Sequence, residues 1–252
     1  MTQLIPIESS ARHVHLTRQA MEKLFGPGTV LTKQRSLSQP GEFLAEQRMK
    51  LVTPAGEIAG VAVLGPVRKA VQVEISMTDA RTLGLAAPIR LSGDLRGAAD
   101  VVLIGQAGAY EAPGSAIVAQ AHVHMTPADA HKFGVNDKQS LCVRVGSDRP
   151  VSFENVIARV SDNFALAMHI DFDEANACGL KPGDMGELLG AEEAPFFRGG
   201  GQGGGCLDDN LITEERAKSL VLQGKLTLRK GTIITPAAKD VFTYAKVEIE
   251  FI

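Results

Sequence analysis

The sequence predicts a mainly β protein with short helices (α+β), built from two tandem duplicated small β-barrel domains and a small C-terminal module. Three observations predict this class. Short Val/Ile/Leu runs alternate with turn residues, the chain repeats itself, and a glycine-rich stretch separates the last segment from the rest. Hydrophobic residues make up 44% of the 252-residue chain, which supplies enough apolar material for more than one small core.

Two pairs of segments carry the internal repeat. RHVHLTRQAMEKLFG (12–26) aligns with AHVHMTPADAHKFG (121–134), so that one His-Val-His triplet falls on the other. VEISMTDARTLGL (73–85) aligns without a gap with MHIDFDEANACGL (168–180), at an offset of 95 residues. Self-similarity of this length is typical of a tandem duplication.

The repeat predicts the division of the chain. We expect a first barrel over 1–95 and a second barrel over 96–190, each with two short helices. A glycine-rich linker over 191–210, with GGGQGGG at its centre, then precedes a separate module over 211–252. About forty residues are marginal for independent stability, so this module is expected to dock or to oligomerise.

Each predicted helix follows a residue that is typical of an N-cap. Thr17 and Thr126 precede the first helix of each repeat, and Pro127 stands at the first helical position in the second. Thr78 and Asp173 precede the second helix of each repeat in the same way.

The composition excludes several functions. A formal net charge of −3 gives no basic field for nucleic acid or an anionic membrane. No apolar run approaches the ~20 residues of a membrane helix, and no signal-peptide pattern opens the sequence. Cys142, Cys178 and Cys206 form no CxxC pair, which favours a reducing compartment. We therefore expect a cytoplasmic protein.

Four of the six histidines lie in the two His-Val-His triplets, as His13, His15, His122 and His124. Alternate residues of a strand share a face, so both imidazoles of a triplet point the same way. The 95-residue offset adds a third ligand to each pair, because Glu74 falls on His169.

The pattern thus predicts two trios of metal ligands. His13, His15 and Glu74 form the first trio, and His122, His124 and His169 form the second. His₂Glu and His₃ are ligand sets of catalytic zinc, which leave a coordination position open for water or substrate. Zinc is favoured, while cobalt, iron and manganese stay open from ligand type alone.

A basic pair lies just upstream of Glu74, in GPVRK (65–69). Arg68 precedes Glu74 by six residues, an even number, so the two share a face if the strand is unbroken. A guanidinium beside a metal is suited to bind phosphate oxygens. The alternative is that Arg68 and Lys69 form a solvated turn pair.

Long stretches of the chain resemble a known family. They are SARHVHLTRQAMEKLFGPG, SLSQPGEF, GPVRKAVQVEISMTDARTLGL, IRLSGDL, VAQAHVHMTPADAHKFGV and RVSDNFALAMHIDFDEANACGL. Together they cover about residues 5–190 and resemble the PduL-type phosphate acyltransferases of bacterial microcompartments.

The resemblance implies an activity and a set of site residues. The reaction would convert propionyl-CoA or acetyl-CoA and phosphate into acyl phosphate and CoA, with two zinc ions per chain held by the two trios. Arg68 matches the family arginine that contacts phosphate. Ser92 and Asn176 match positions expected to contact CoA.

Two features depart from the family pattern. The SARHVH motif begins within ten residues of Met1, so we expect no amphipathic N-terminal targeting extension. The module over 211–252 resembles the N-terminal segment of EutQ-type ethanolamine-utilisation proteins. It is either a docking tag for microcompartment shell or core proteins, with the enzyme in the lumen, or a passive appendage for oligomerisation.

Two other functions remain alternatives at this point. A binuclear zinc hydrolase, such as a thioesterase, would need a carboxylate base beside one of the trios, and none is evident. A non-enzymatic scaffold stapled by metal would use structural sites, which are commonly four-ligand and rich in cysteine.

Overall fold

The computed structural model describes five stretches of the chain: 4–189, 211–220, 225–228, 230–245 and 247–251. The chain forms two compact units, Met1–Pro195 and Phe196–Ile252. The predicted glycine-rich linker lies outside the described residues, so that prediction stays a prediction. The first unit contains both barrels.

The strands of the first unit are short and are bounded by turn residues. In chain order they are Leu4–Ser10 (β1), His13–His15 (β2), Lys33–Ser36 (β3), Phe43–Val52 (β4), Glu57–Gly65 (β5), Gln72–Ile75 (β6), Ile89–Arg90 (β7), Ala99–Ile104 (β8), Ala109–Ala119 (β9), His122–Met125 (β10), Ser140–Val145 (β11), Val151–Val160 (β12), Ala167–Asp171 (β13) and Met185–Leu188 (β14). Its helices are Arg18–Phe25 (α1), Met77–Thr82 (α2), Pro127–Phe133 (α3) and Phe172–Cys178 (α4).

Two closed rings of strands form the barrels. The first runs β4–β5–β2–β6–β9–β8 and closes through the β8–β4 pairing. The second runs β1–β13–β10–β12–β11–β14 and closes through the β14–β1 pairing. The predicted fold class, two small β-barrels with short helices and a C-terminal module, is confirmed.

The barrels exchange strands. The strand β1 precedes the first His-Val-His triplet in sequence, yet it pairs in parallel with β13 of the second barrel. The strand β9 precedes the second triplet, yet it pairs in parallel with β6 of the first barrel. The strand pairing therefore departs from the predicted boundary between 95 and 96. Self-similarity marks which stretches are repeated, but it does not say with which copy each stretch pairs.

The strand register reproduces the repeat. His13 pairs with Glu74 across β2 and β6, and His122 pairs with His169 across β10 and β13. On the other side, β2 pairs in parallel with β5 and β10 with β12, again at an offset of 95 residues between the partner positions. Both triplets therefore occupy the same place in their barrels.

The middle residue of each triplet belongs to a barrel core. Val14 packs in the core of the first barrel and Val123 in the core of the second, and both are fully buried. Because side chains alternate along a strand, the histidines on either side of each valine point to the opposite face. That face lies between the two barrels.

Capping residues fix where the helices begin. Thr17 and Thr126 cap α1 and α3 as predicted. The helices α2 and α4 begin two residues earlier than predicted, at caps Ser76 and Asp171. In both, the third helical residue is acidic and its carboxylate accepts a hydrogen bond from the backbone N–H of the cap residue. This capping box outcompetes the later threonine or aspartate.

The C-terminal unit has the order strand–helix–strand twice. It contains Leu211–Ile212 (β15), Glu214–Leu220 (α5), Lys225–Leu228 (β16), Ile233–Ile234 (β17), Pro236–Tyr244 (α6) and Glu248–Phe251 (β18). The strand β15 pairs in parallel with β17, and β16 with β18. Its own core includes Leu226, Leu228 and Phe242.

No helix among the described residues has the length and apolar character that crossing a membrane requires.

Candidate active site

One cavity of about 690 Å³ lies between the barrels. Both trios line it, together with Arg68 and Ser92. Eight of the nine residues singled out from the sequence therefore meet in one place. The exception is Asn176, an exposed residue of α4 that is not part of the cavity wall.

The first trio brings its ligand atoms together. Glu74 Oε1 lies 3.6 Å from His13 Nε2 and 4.0 Å from His15 Nε2, and all three side chains are buried. Among the described residues, this is the group whose ligand atoms all lie within 4.8 Å of one another. The donor set of two imidazoles and a carboxylate suits Zn²⁺.

Backbone carbonyls orient one histidine of each trio. His13 Nδ1 lies 2.8 Å from Ala11 O, and His122 Nδ1 lies 2.8 Å from Gln120 O. A carbonyl only accepts, so Nδ1 carries the hydrogen and the neutral ring presents the Nε2 lone pair to the cavity. This outer hydrogen bond is the arrangement that metal-binding histidines commonly have.

The charges of the first trio are coupled. Burial lowers the pKa of His13, but the adjacent Glu74 carboxylate more than offsets this and the pKa ends above its usual value. Burial lowers the pKa of His15 well below its usual value, and His13 and Arg68 lower it further. Burial raises the pKa of Glu74, yet His13 and His15 outweigh it and hold that pKa well below its usual range.

The second trio is a cluster of three neutral rings. Ring centroids lie 4.7 Å apart for His122 and His124, 5.0 Å for His124 and His169, and 5.3 Å for His122 and His169. Burial lowers the pKa to about 4 for His122 and His169 and to about 2 for His124. The rings of His122 and His169 are nearly parallel, with 9° between their planes.

Unpartnered nitrogens mark both trios as receptive to a ligand. Both ring nitrogens of His124 and Nδ1 of His15 are buried without a hydrogen-bond partner among the described residues. A buried polar atom without a partner costs free energy, and native proteins retain few of them. Neutral imidazoles with open lone pairs are what a bound Zn²⁺ requires, so the residues present fit the metal.

Arg68 reaches the cavity from a loop. Its backbone lies between β5 and β6, so the condition of an unbroken strand from Arg68 to Glu74 is not met, although both side chains line the cavity. The Arg68 guanidinium donates to Glu42 Oε1 at 2.8 Å and to Ser92 Oγ at 3.2 Å. The solvated turn pair is therefore wrong for Arg68.

Sequence reasoning missed four residues of the site: Gln39, Glu42 and Arg159 line the cavity, and Gln72 lies outside its wall and donates to Glu74. Gln39 reaches from the first barrel to the second, where it donates to Ala165 O at 3.0 Å and lies 3.4 Å from His169 Nε2. Gln72 precedes Glu74 by two residues on the same strand, a spacing that was available as a signal. For Arg159, the signal was a charge within the apolar run IARV.

Fold and cavity together define a double-β-barrel enzyme whose site draws residues from both halves of the chain. A family model described as phosphate propanoyltransferase matches residues 6–181. A phosphate propanoyltransferase of Clostridioides difficile is 49% identical over 185 residues, 73% of this chain and 88% of the relative. One of Listeria monocytogenes is 46% identical over 185 residues, 73% and 87% of the two chains.

Thermotoga maritima supplies a third comparison. A phosphate propanoyltransferase of Thermotoga maritima is 49% identical over 177 residues, 70% of this chain and 84% of the relative. The chain belongs to the phosphate propanoyltransferase family and is an acyltransferase. The family model ends before the C-terminal module.

Proposed function

We propose that the enzyme transfers the acyl group of propionyl-CoA or acetyl-CoA to inorganic phosphate, reversibly, and so releases free CoA. The observation that carries the proposal is the shared cavity, which brings Arg68 and both trios together. Membership of the phosphate propanoyltransferase family supports the same reaction. The two acyl groups differ by one methylene, a difference that gives only modest discrimination.

The reaction requires that phosphate is held, that the thioester carbonyl is polarised and that the leaving thiolate is stabilised. A phosphate oxygen attacks the thioester carbonyl carbon; the new C–O bond forms, the C–S bond breaks, and the sulfur leaves as a thiolate that takes up a proton. The phosphate must be held, which suits the Arg68 guanidinium and its planar set of donors. Ser92 accepts from Nη1 of Arg68 while Glu42 accepts from Nη2, and the contact with Ser92 helps to fix the direction of those donors.

We assign two zinc ions to the cavity, one held by His13, His15 and Glu74 and one by His122, His124 and His169. Zinc, when bound, polarises a carbonyl or phosphoryl oxygen and stabilises a thiolate. The backbone of the chain orients one histidine ring in each trio. The carbonyls of Ala11 and Gln120 keep Nδ1 of His13 and His122 protonated, so that Nε2 stays available in each ring.

We place CoA along the cavity mouth, with Ser92 and Asn176 as contact residues. Ser92 lines the cavity, which supports a contact with the part of CoA near the thioester. The exposed position of Asn176 on α4 leaves its amide available to an outer part of the molecule.

The transfer is proposed to be direct, without an acyl-enzyme. Cys142 and Cys178 do not line the cavity, and burial raises the pKa of both thiols, which disfavours the thiolate. Cys206 lies outside the described residues. Mass spectrometry after incubation with acetyl-CoA alone tests this step, and a stable acyl adduct on the protein would contradict it.

Release of free thiol from acetyl-CoA or propionyl-CoA, with and without phosphate, tests the function. The transferase releases thiol only with phosphate, whereas a hydrolase releases it in both cases and a scaffold in neither after zinc loading. His13→Ala and Arg68→Ala are expected to abolish phosphate-dependent release. His131→Ala, an exposed histidine of α3, and Arg144→Ala, an exposed arginine of β11, are matched controls.

The C-terminal module is proposed to dock the enzyme to microcompartment shell or core proteins, and so to place it in the lumen. Its separate core supports a role independent of the barrels. The full chain and a chain ending at residue 195, both fluorescently labelled, can be compared in compartment-forming cells. Puncta that disappear on truncation support docking. Diffuse signal from both, with a smaller oligomer after truncation, supports the oligomerisation appendage instead.

A further inference from the structure

Arg159 is the arginine of this cavity wall that stands beside the second trio. It lies on β12, where it pairs with His124 on β10, and its side chain reaches the same cavity as Arg68. Among the described residues no carboxylate lies within 4.0 Å of its guanidinium, and the side chain makes no hydrogen bond. Arg68, in contrast, is paired with Glu42 at 2.8 Å.

The setting of Arg159 makes an unpaired charge costly. Partial burial lowers the pKa of this guanidinium, since the charged form loses part of its contact with water. Its contact is aromatic: Arg159 Cζ lies 5.5 Å from the centroid of the Phe164 ring, and that ring lies 4.1 Å from the ring of His124. A guanidinium over a ring keeps the N–H donors at its edge available to an anion.

The repeat shows that Arg159 is specific to the second barrel. His15 pairs with Leu64 in the first barrel, and His124 pairs with Arg159 at the matching position in the second. Leu64 shows that a barrel can form with an apolar residue at this position. The arginine therefore meets a requirement of the cavity and not of the fold.

We propose that Arg159 is a second anion-binding residue, which holds the phosphate group of inorganic phosphate or acyl phosphate beside the second trio. The proposal rests on the proposed function, because that reaction brings a phosphate group to the cavity. The phosphates of CoA are the other source of this chemistry. The long pantetheine arm separates them from the reacting sulfur, so a phosphate group beside the trios is the reacting one.

Kinetics of Arg159→Gln and Arg159→Lys test the proposal, with Arg144→Gln on the neighbouring strand β11 as the matched control. The KM for phosphate is expected to rise roughly 10- to 100-fold in Arg159→Gln, as for loss of a hydrogen bond to a charged group. The KM for acetyl-CoA is expected to stay within about twofold. Arg159→Lys, which keeps the charge but loses the planar set of donors, recovers part of the loss.

Opposite patterns overturn the proposal. A KM that rises for acetyl-CoA but not for phosphate assigns Arg159 to CoA. A fall in kcat with both KM values unchanged removes it from substrate binding.

A binding measurement keeps the test independent of the proposed function. Inorganic phosphate alone is added to the zinc-loaded protein, and the shift in unfolding temperature is followed. The shift is expected in wild type and Arg144→Gln and to be lost in Arg159→Gln, whether or not thioester cleavage is seen. An equal shift in Arg159→Gln overturns the proposal, while a wild-type shift without turnover counts against the reaction alone.

Discussion

Gln72 donates its side-chain amide to the carboxylate of Glu74, with 2.5 Å between Nε2 and Oε1. The same nitrogen lies 2.8 Å from Ser92 Oγ, and Gln72 Oε1 accepts from Gly93 N at 2.8 Å. One buried amide thus joins a predicted metal ligand to the serine that holds Arg68. The matching position in the second barrel is Ala167, so this connection serves the first trio alone.

Gln72→Ala is expected to weaken metal binding at the first trio by about 10- to 100-fold, because Glu74 loses its outer hydrogen bond. Zinc content measured during titration with a chelator checks this. One zinc per chain should leave at a lower chelator concentration than in wild type, and the other should be unaffected. Gln106→Ala, an exposed glutamine between β8 and β9, is the control. Unchanged release of both ions would contradict the role assigned to Gln72.

Removal of metal is expected to lower the unfolding temperature by several degrees, because a ligand bound to the folded state stabilises it. Restored zinc should return the temperature to its starting value. His124→Ala should keep about one zinc per chain, and His131→Ala should keep about two. A chelated protein with an unchanged unfolding temperature would show that the trios hold no metal.

Glu42→Gln is expected to lower the KM for phosphate by up to about fivefold, because Glu42 competes with phosphate for Arg68. The effect is modest since both side chains are about one-third exposed. Steady-state rates at varied phosphate check it, with Glu46→Gln, an exposed glutamate of β4, as control. A KM that rises instead would mean that Glu42 orients Arg68 and does not compete for it.

Glu174 gives the barrels a pH-dependent stability. Burial raises the pKa of this carboxyl to about 7, whereas the unfolded value is about 4.3. The folded chain therefore binds the proton more tightly, and the free energy of unfolding falls as the pH rises from about 4.5 to 7 and levels off above. Glu174→Gln should remove this part of the slope. Urea unfolding at several pH values checks it against Glu154→Gln, and parallel slopes in all three proteins would contradict it.

A chain that ends at residue 195 is expected to keep the kcat and KM values of the full chain. Every strand of both barrels, and every residue of the cavity wall, lies within 4–188. Parallel assays of the two chains check this. Lost turnover in a truncated protein that still melts cooperatively would mean that the C-terminal unit contributes to the site.

The parts of the site that could be predicted from the sequence are those that occur in both repeats, namely the two trios of predicted metal ligands. The offset of 95 residues aligned Glu74 with His169 and made each the predicted third ligand of its trio, and the strand register pairs them with His13 and His122. The site residues that were not predicted either differ between the two repeats or contact residues far away in the sequence. Arg159 stands where the first barrel has Leu64, and Gln39 acts 130 residues from His169.

Short-range competition explains the smaller errors. Thr78 and Asp173 are good cap residues, but the capping boxes at Ser76 and Asp171 start both helices two residues earlier. Asn176 was carried over by resemblance alone, and its contact with CoA remains a prediction.

The exchange of β1 and β9 has a consequence for the origin of the molecule. A protein made of one repeat would carry a first strand that its own barrel cannot use. Two such chains could close both barrels only if each chain contributed its first strand to the barrel of the other. The result would be a strand-swapped homodimer with two identical triplets facing one cavity. In the single chain the two copies can differ, and they do: Glu74 stands where the second copy has His169, and Leu64 where it has Arg159.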